Sequence, residues 1–138
     1  MSKKGPIDIT VSWNGSSWTF SGADDAKGNL TVSPPGWWEP WKKSRTVDIV
    51  FKKASGQNWG FVTPYILFGE YGPPKNRAYI AGVLEPKPNG SNANEVAIVD
   101  TNGQGSGTAA FYAYSLHVQR SGQPIEILDP MIVNDGGP

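Results

Sequence analysis

Residues 7–20 read IDITVSWNGSSWTF, a pattern that is typical of a β-hairpin. From Ile7 to Trp13 the odd positions are apolar and the even positions polar, as expected for a strand with one buried face. The Asn14-Gly15 pair that follows is a frequent signal for a short hairpin turn. We therefore predict a returning strand that begins near Trp18 and pairs with the first one.

The same two-residue alternation recurs along the rest of the chain, between clusters of turn-forming residues. Further strands are predicted at residues 30–32, 46–51, 59–68, 77–84, 95–100, 108–119, 125–127 and 131–133. No window has the 3.6-residue apolar period of an amphipathic helix, so essentially no long helix is expected. The pattern predicts an all-β fold, a single-domain antiparallel β-sandwich over residues 1–138 with about nine or ten short strands. A β-barrel is the alternative.

The composition narrows the classes of function. A chain of 138 residues has the length of one domain, and its 17 glycines and 12 prolines indicate many turns. The absence of cysteine excludes disulfides, thiolate metal sites and a cysteine nucleophile. Twelve basic residues balance twelve acidic ones, which argues against nucleic-acid binding through a general positive charge.

No recognisable catalytic motif is present. The single histidine, His117, falls in the middle of a predicted strand, and no serine lies in a Gly-x-Ser-x-Gly turn. One histidine without cysteines cannot supply most of a zinc site, and no phosphate-binding Gly-Lys-Ser/Thr sequence occurs. The acidic residues are scattered without the motif of a glycosidase pair. The sequence therefore predicts a non-catalytic protein without catalytic residues.

A calcium site is the one metal site that the sequence suggests. Asp100, Asn102 and Gly105 match the opening of an EF-hand loop, with Gln104 as a further oxygen donor. The closing position of that loop is Phe111 instead of glutamate, so the oxygen ligands are incomplete. We favour a glycine-rich turn without a cofactor, with calcium as the alternative.

The tryptophan-rich loop (residues 34–45, PPGWWEPWKKSR) is the most informative segment for function. Its candidate ligand-binding residues are Trp37, Trp38, Glu39, Trp41 and Lys42. Exposed indoles can stack on sugar rings, insert at lipid headgroups beside basic residues, or stack on nucleobases. The structural alternative is that the loop folds back and its indoles fill one end of the sandwich, because large aromatic side chains are usually mostly buried.

These observations favour a lectin-like recognition module that binds carbohydrate through the tryptophan-rich loop. The first alternative is a self-assembling structural protein, a homo-oligomer that buries the same aromatic residues between subunits. The second is a protein that binds a membrane surface. A membrane-spanning helix is not expected, because no stretch approaches the roughly 20 apolar residues that it requires. The N-terminus lacks the apolar core of a secretory signal, which favours the cytoplasm unless the chain is the mature form of a secreted protein.

Overall fold

The computed structural model describes residues 2–3, 6–33, 46–70, 83–101 and 110–134. Its eleven strands are β1 (Ser2–Lys3), β2 (Ile7–Trp13), β3 (Trp18–Ser21), β4 (Leu30–Val32), β5 (Val47–Lys53), β6 (Trp59–Glu70), β7 (Leu84–Pro86), β8 (Glu95–Asp100), β9 (Ala110–Arg120), β10 (Ile125–Leu128) and β11 (Met131–Asn134). The described ranges contain no helix, and hence none that is long and apolar enough to cross a membrane.

The strands form two sheets. In sheet A, the long strand β9 pairs with β6 along one edge and with β11 and then β10 along the other. Strand β4 continues this sheet beyond β11, and β1 pairs with β4. Sheet B has the order β3-β2-β5-β8-β7. The predicted all-β sandwich is confirmed, since the described strands make two separate sheets and not one closed barrel.

Strand direction differs from the prediction. Three pairs are parallel, β2 with β5, β4 with β11 and β1 with β4, so both sheets are mixed where a wholly antiparallel sandwich was predicted. Residue alternation identifies the buried face of a strand but carries no information on the direction of its neighbour, which explains the error. The two-residue strand β1 was missed because it is too short to show alternation. The strand predicted at residues 77–84 lies mostly outside the described residues.

The core lies between the sheets and is built from the inward side chains of both. Ile9, Ile49 and Phe51 of sheet B and Leu116 and Val118 of sheet A are fully buried. Burying each such side chain contributes about 1.5–3 kcal/mol to folding, and together they make the sandwich stable without disulfides.

Two polar contacts cross this core. The hydroxyl of Tyr114 on β9 donates to the backbone carbonyl oxygen of Gly28 at 2.6 Å. Asn134 on β11 donates from Nδ2 to Oδ1 of Asp100 on β8 at 2.8 Å, and both side chains are fully buried. Because buried polar groups need partners, these bonds fix how one sheet lies over the other.

Candidate functional site

The β2–β3 hairpin brings two tryptophans together at one end of the sandwich. Trp13 and Trp18 are directly opposite each other across the strand pair, with ring centroids 5.2 Å apart. The turn between them is held by Asn14, whose Oδ1 accepts from the backbone N–H groups of Ser16 and Ser17 at 2.9 and 2.8 Å. Gly15 adopts φ +100° there, a conformation that glycine allows at no steric cost. The turn sequence thus sets the spacing of the two indoles.

A third tryptophan links this pair to the core. The ring of Trp59 at the start of β6 meets Trp18 edge-on at 4.8 Å and Phe61 edge-on at 5.0 Å. Edge-to-face packing is the favoured geometry for aromatic rings. Trp59 is buried, whereas Trp13 and Trp18 are half-buried. We refer to Trp13, Trp18 and Trp59 as the indole cluster.

Gln57 fixes two members of the indole cluster from the β5–β6 turn. Its Oε1 accepts from the backbone N–H of Trp13 at 2.9 Å and from Nε1 of Trp59 at 2.6 Å. Its Nε2 donates to the backbone carbonyl oxygen of Trp13 at 2.9 Å. One amide therefore joins the backbone of β2 to β6 and orients the indole of Trp59.

An ion pair completes the cluster on the sheet A side. Arg120 at the end of β9 donates from Nε and Nη2 to Glu126 on β10 at 3.0 and 3.3 Å, and its guanidinium carbon lies 4.0 Å from the centroid of the Trp13 ring. Glu126 also accepts from Nε1 of Trp18 at 3.2 Å. The hydrogen bonds from the Arg120 guanidinium lower the pKa of Glu126 below its ordinary value. The positive charge of Arg120 and the hydrogen bond from Trp18 act in the same direction, and together they outweigh the opposing effect of burial. Glu126 is thus an anion that orients both Arg120 and Trp18.

Two surface depressions flank these residues. The first, which we call the indole depression, has a volume of about 330 Å³ and is lined by Trp13, Gln57, Asn58, Trp59, Arg120, Ser121 and Gln123. The second, of about 470 Å³, runs between β3 and β10 and is lined by Trp18, Phe20, Lys27, Asn29 and residues 127–131. The Arg120–Glu126 pair lies beside Trp18, between the two.

The indole depression combines the apolar rings of Trp13 and Trp59 with hydrogen-bonding groups. An arginine side chain has five N–H donors and Glu126 engages two of its groups, so the guanidinium retains donors for a ligand. Asn58 and Gln123 are exposed and bring amides, which both donate and accept. This set of groups suits the recognition of a neutral molecule that has hydroxyl groups and an apolar face.

The residues predicted as the ligand-binding site lie outside the described part of the chain. This applies to Trp37, Trp38, Glu39, Trp41 and Lys42, so the role of the tryptophan-rich loop stays a prediction. Among the calcium candidates, Asp100 is described, and Asn102 and Gln104 are not.

Asp100 is buried between the sheets and bonded to Asn134, where a calcium loop would require an exposed ligand. No group of three or more potential metal ligands from His, Cys, Asp or Glu occurs in the described ranges. Calcium binding in the loop after Asp100 stays untested.

The sequence pattern does not predict the indole cluster, because alternation assigns each of its tryptophans only to the face of its own strand. The hairpin signal placed Trp13 and Trp18 near the same turn, but a two-residue Asn14-Gly15 turn would put Trp13 opposite Ser16, and the observed pairing with Trp18 requires the four-residue loop of residues 14–17. Nothing in the sequence linked them to Trp59 or to Arg120, which come from other strands. A comparison with protein-family models and with curated protein sequences finds no match for this chain.

Proposed function

We propose that this protein is a non-catalytic recognition module that binds carbohydrate in the indole depression. The proposal rests on one observation, the convergence of Trp13 and Arg120 with the amides of Asn58 and Gln123 around one open depression. Sugars present apolar C–H faces and hydroxyl groups on the same ring, which match an indole and a set of amide and guanidinium donors.

The rigidity of the site supports this function. Gln57 makes three hydrogen bonds to Trp13 and Trp59, and Glu126 holds Arg120. A preorganised site loses little conformational entropy when a ligand binds, which matters because each sugar hydroxyl has to be stripped of water. The prediction from sequence that carbohydrate binds through the tryptophan-rich loop is a separate hypothesis, which the same binding experiments distinguish from this one.

A glycan array probed with the wild-type protein tests the proposal, followed by titration of any ligand found. Asn58→Ala and Gln123→Ala remove exposed amides from the rim of the depression. We expect each to weaken binding about three- to tenfold, the effect of one lost hydrogen bond. Asn94→Ala is the matched control, because Asn94 is an exposed amide outside the depression. The affinity of the Asn94→Ala variant for the glycan found on the array should equal that of the wild type.

Two results would contradict this proposal. One is an array without any bound glycan. The other is a ligand whose affinity is unchanged by Asn58→Ala and Gln123→Ala but is lost in Trp37→Ala or Trp38→Ala. That second result would assign carbohydrate binding to the tryptophan-rich loop alone.

A further inference from the structure

The two sheets expose outer faces of different chemistry. On sheet A, the outward side chains that the structure describes include no Asp, Glu, Lys or Arg. They are Thr31, Leu67, Ala113, Ser115, His117, Gln119, Ile125, Ile127, Met131 and Val133, as the pairing register and burial of β4, β6, β9, β10 and β11 place them. We call this surface the uncharged face.

The uncharged face also carries large apolar side chains that are accessible to solvent. Ile125 and Ile127 on β10 are 51% and 59% exposed, and Leu67 on β6 is 52% exposed. In the register of sheet A they lie on either side of β9, opposite Gln119, His117 and Ser115 respectively. Gln119, His117 and Ser115 separate the two groups of apolar side chains, so the face alternates apolar and uncharged polar residues and has the mixed character of an interaction surface.

The outer face of sheet B has the opposite character. Asp8 and Lys52 form an ion pair there at 3.7 Å, and Asp48 pairs with Lys87 at 3.7 Å. Glu85 and Glu95 belong to the same face by the register of β7 and β8. Charged residues keep a sheet surface in water, so the contrast shows which side of the sandwich is suited to burial.

We infer that the uncharged face is the interface between two copies of this chain, packed sheet on sheet. A face without ionised groups is complementary to itself, because neither copy leaves a buried charge of the other without a counter-ion. A charged partner would have to bury its own ions against a surface that offers none. The whole chain has a net charge of zero, so two copies do not repel each other at a distance.

The geometry of a β-sheet allows such a contact. Two sheets pack face to face about 10 Å apart when the side chains between them are apolar and interdigitate. A twofold axis across the uncharged face would bring Ile125, Ile127 and Leu67 of one copy against the same surface of the other. His117 lies within this face and is itself only 8% exposed, so the polar group at its centre is already covered.

Sedimentation velocity and light scattering over a concentration series test this inference. For the wild type, the mass should rise from the 14.9 kDa of one chain to twice that value. Ile127→Glu and Leu67→Glu place a carboxylate on the face from opposite sides of β9. Each should weaken the dimer at least about tenfold, because the carboxylate would be buried without a partner.

Thr10→Glu is the matched control. Thr10 is an exposed residue in the middle of a strand on the outer face of sheet B, and its substitution changes the net charge by the same amount. It should leave the dimer unchanged, and thermal unfolding verifies that all three variants fold. A wild type that remains monomeric overturns the inference, as does a dimer that Ile127→Glu and Leu67→Glu do not weaken. A monomer that instead sediments with liposomes would identify the uncharged face as a membrane-binding surface.

Discussion

Asn134 and Asp100 are far apart in the chain, yet they form a buried hydrogen bond that connects the last strand of sheet A to sheet B. Their side chains are completely shielded from solvent, with Nδ2 of Asn134 2.8 Å from Oδ1 of Asp100. A hydrogen bond that is lost inside a protein is not replaced by a hydrogen bond to water, so its loss destabilises the folded state.

Replacing Asn134 should therefore destabilise the protein strongly. We expect Asn134→Ala to lower the free energy of unfolding by about 1–3 kcal/mol, because a buried hydrogen bond and the packing of the asparagine side chain are both lost. Urea denaturation measures this difference. Asn94→Ala, an exposed asparagine, should change the unfolding free energy by less than about 0.5 kcal/mol. Equal effects of the two substitutions would show that the buried bond contributes nothing to stability.

Tyr114 should make the protein sensitive to alkaline pH. Burial, and to a smaller extent the nearby charge of Asp25, raises the pKa of this phenol well above its ordinary value. A pKa that is higher in the folded state contributes stability that is complete below the pKa of the unfolded chain, near 10, and is lost as the pH rises above it.

The variant Tyr114→Phe isolates this effect. At neutral pH its free energy of unfolding should be about 1 kcal/mol lower than that of the wild type, because the carbonyl oxygen of Gly28 loses its donor. Above about pH 10 the difference in unfolding free energy between this variant and the wild type should become smaller, because only the wild type has the buried phenol whose ionisation destabilises the folded state. Urea unfolding at neutral pH and above pH 10 provides the comparison. A gap that stays constant with pH would contradict the assignment.

Glu126 should contribute to stability at neutral pH and not in acid. Its pKa is lowered mainly by the hydrogen bonds and charge of Arg120, so the folded state favours the carboxylate. The stabilisation is complete above the pKa of the unfolded chain, about 4.3, and disappears as the pH falls through the lower pKa of the folded state.

The side chains of Arg120 and Glu126 are 27% and 33% exposed, so solvent screening limits the gain to about 0.5–1 kcal/mol. Glu126→Gln should therefore be less stable than the wild type at neutral pH and equally stable near pH 3. Thermal unfolding at both pH values tests this. Glu85→Gln removes the same charge from an exposed glutamate on strand β7 and is the control, which should change the stability at neutral pH by less than about 0.5 kcal/mol.

The strands could be predicted because alternation in sequence reflects burial on one face. From Ile7 to Trp13 this pattern identified β2 with its correct bounds, and Asn14-Gly15 identified the turn that follows. The partner of β2 on its other edge could not be predicted, because β5 is parallel to it and is reached only after two intervening strands. Pairing between distant strands depends on the packing of both sheets together.

The site was predicted less well than the fold for a related reason. Trp37, Trp38 and Trp41 are close together in the sequence and therefore form a visible motif, whereas the indole cluster unites Trp13, Trp18 and Trp59 from three strands. Composition reports how many indoles exist, but only the tertiary structure determines which of them meet. The contact between Arg120 and Glu126 likewise depends on the register of β9 and β10, which residue alternation does not determine.

The position of β11 has a consequence for biosynthesis. This strand lies between β4 and β9 inside sheet A, although it follows every other described strand in the sequence. Before β11 is synthesised, β1 is the one described strand that can pair with β4 in this sheet. The nascent polypeptide must therefore keep the apolar side of β4 from aggregating until β11 has been made, and a premature stop codon before Met131 would deprive sheet A of the strand that joins β4 to β9.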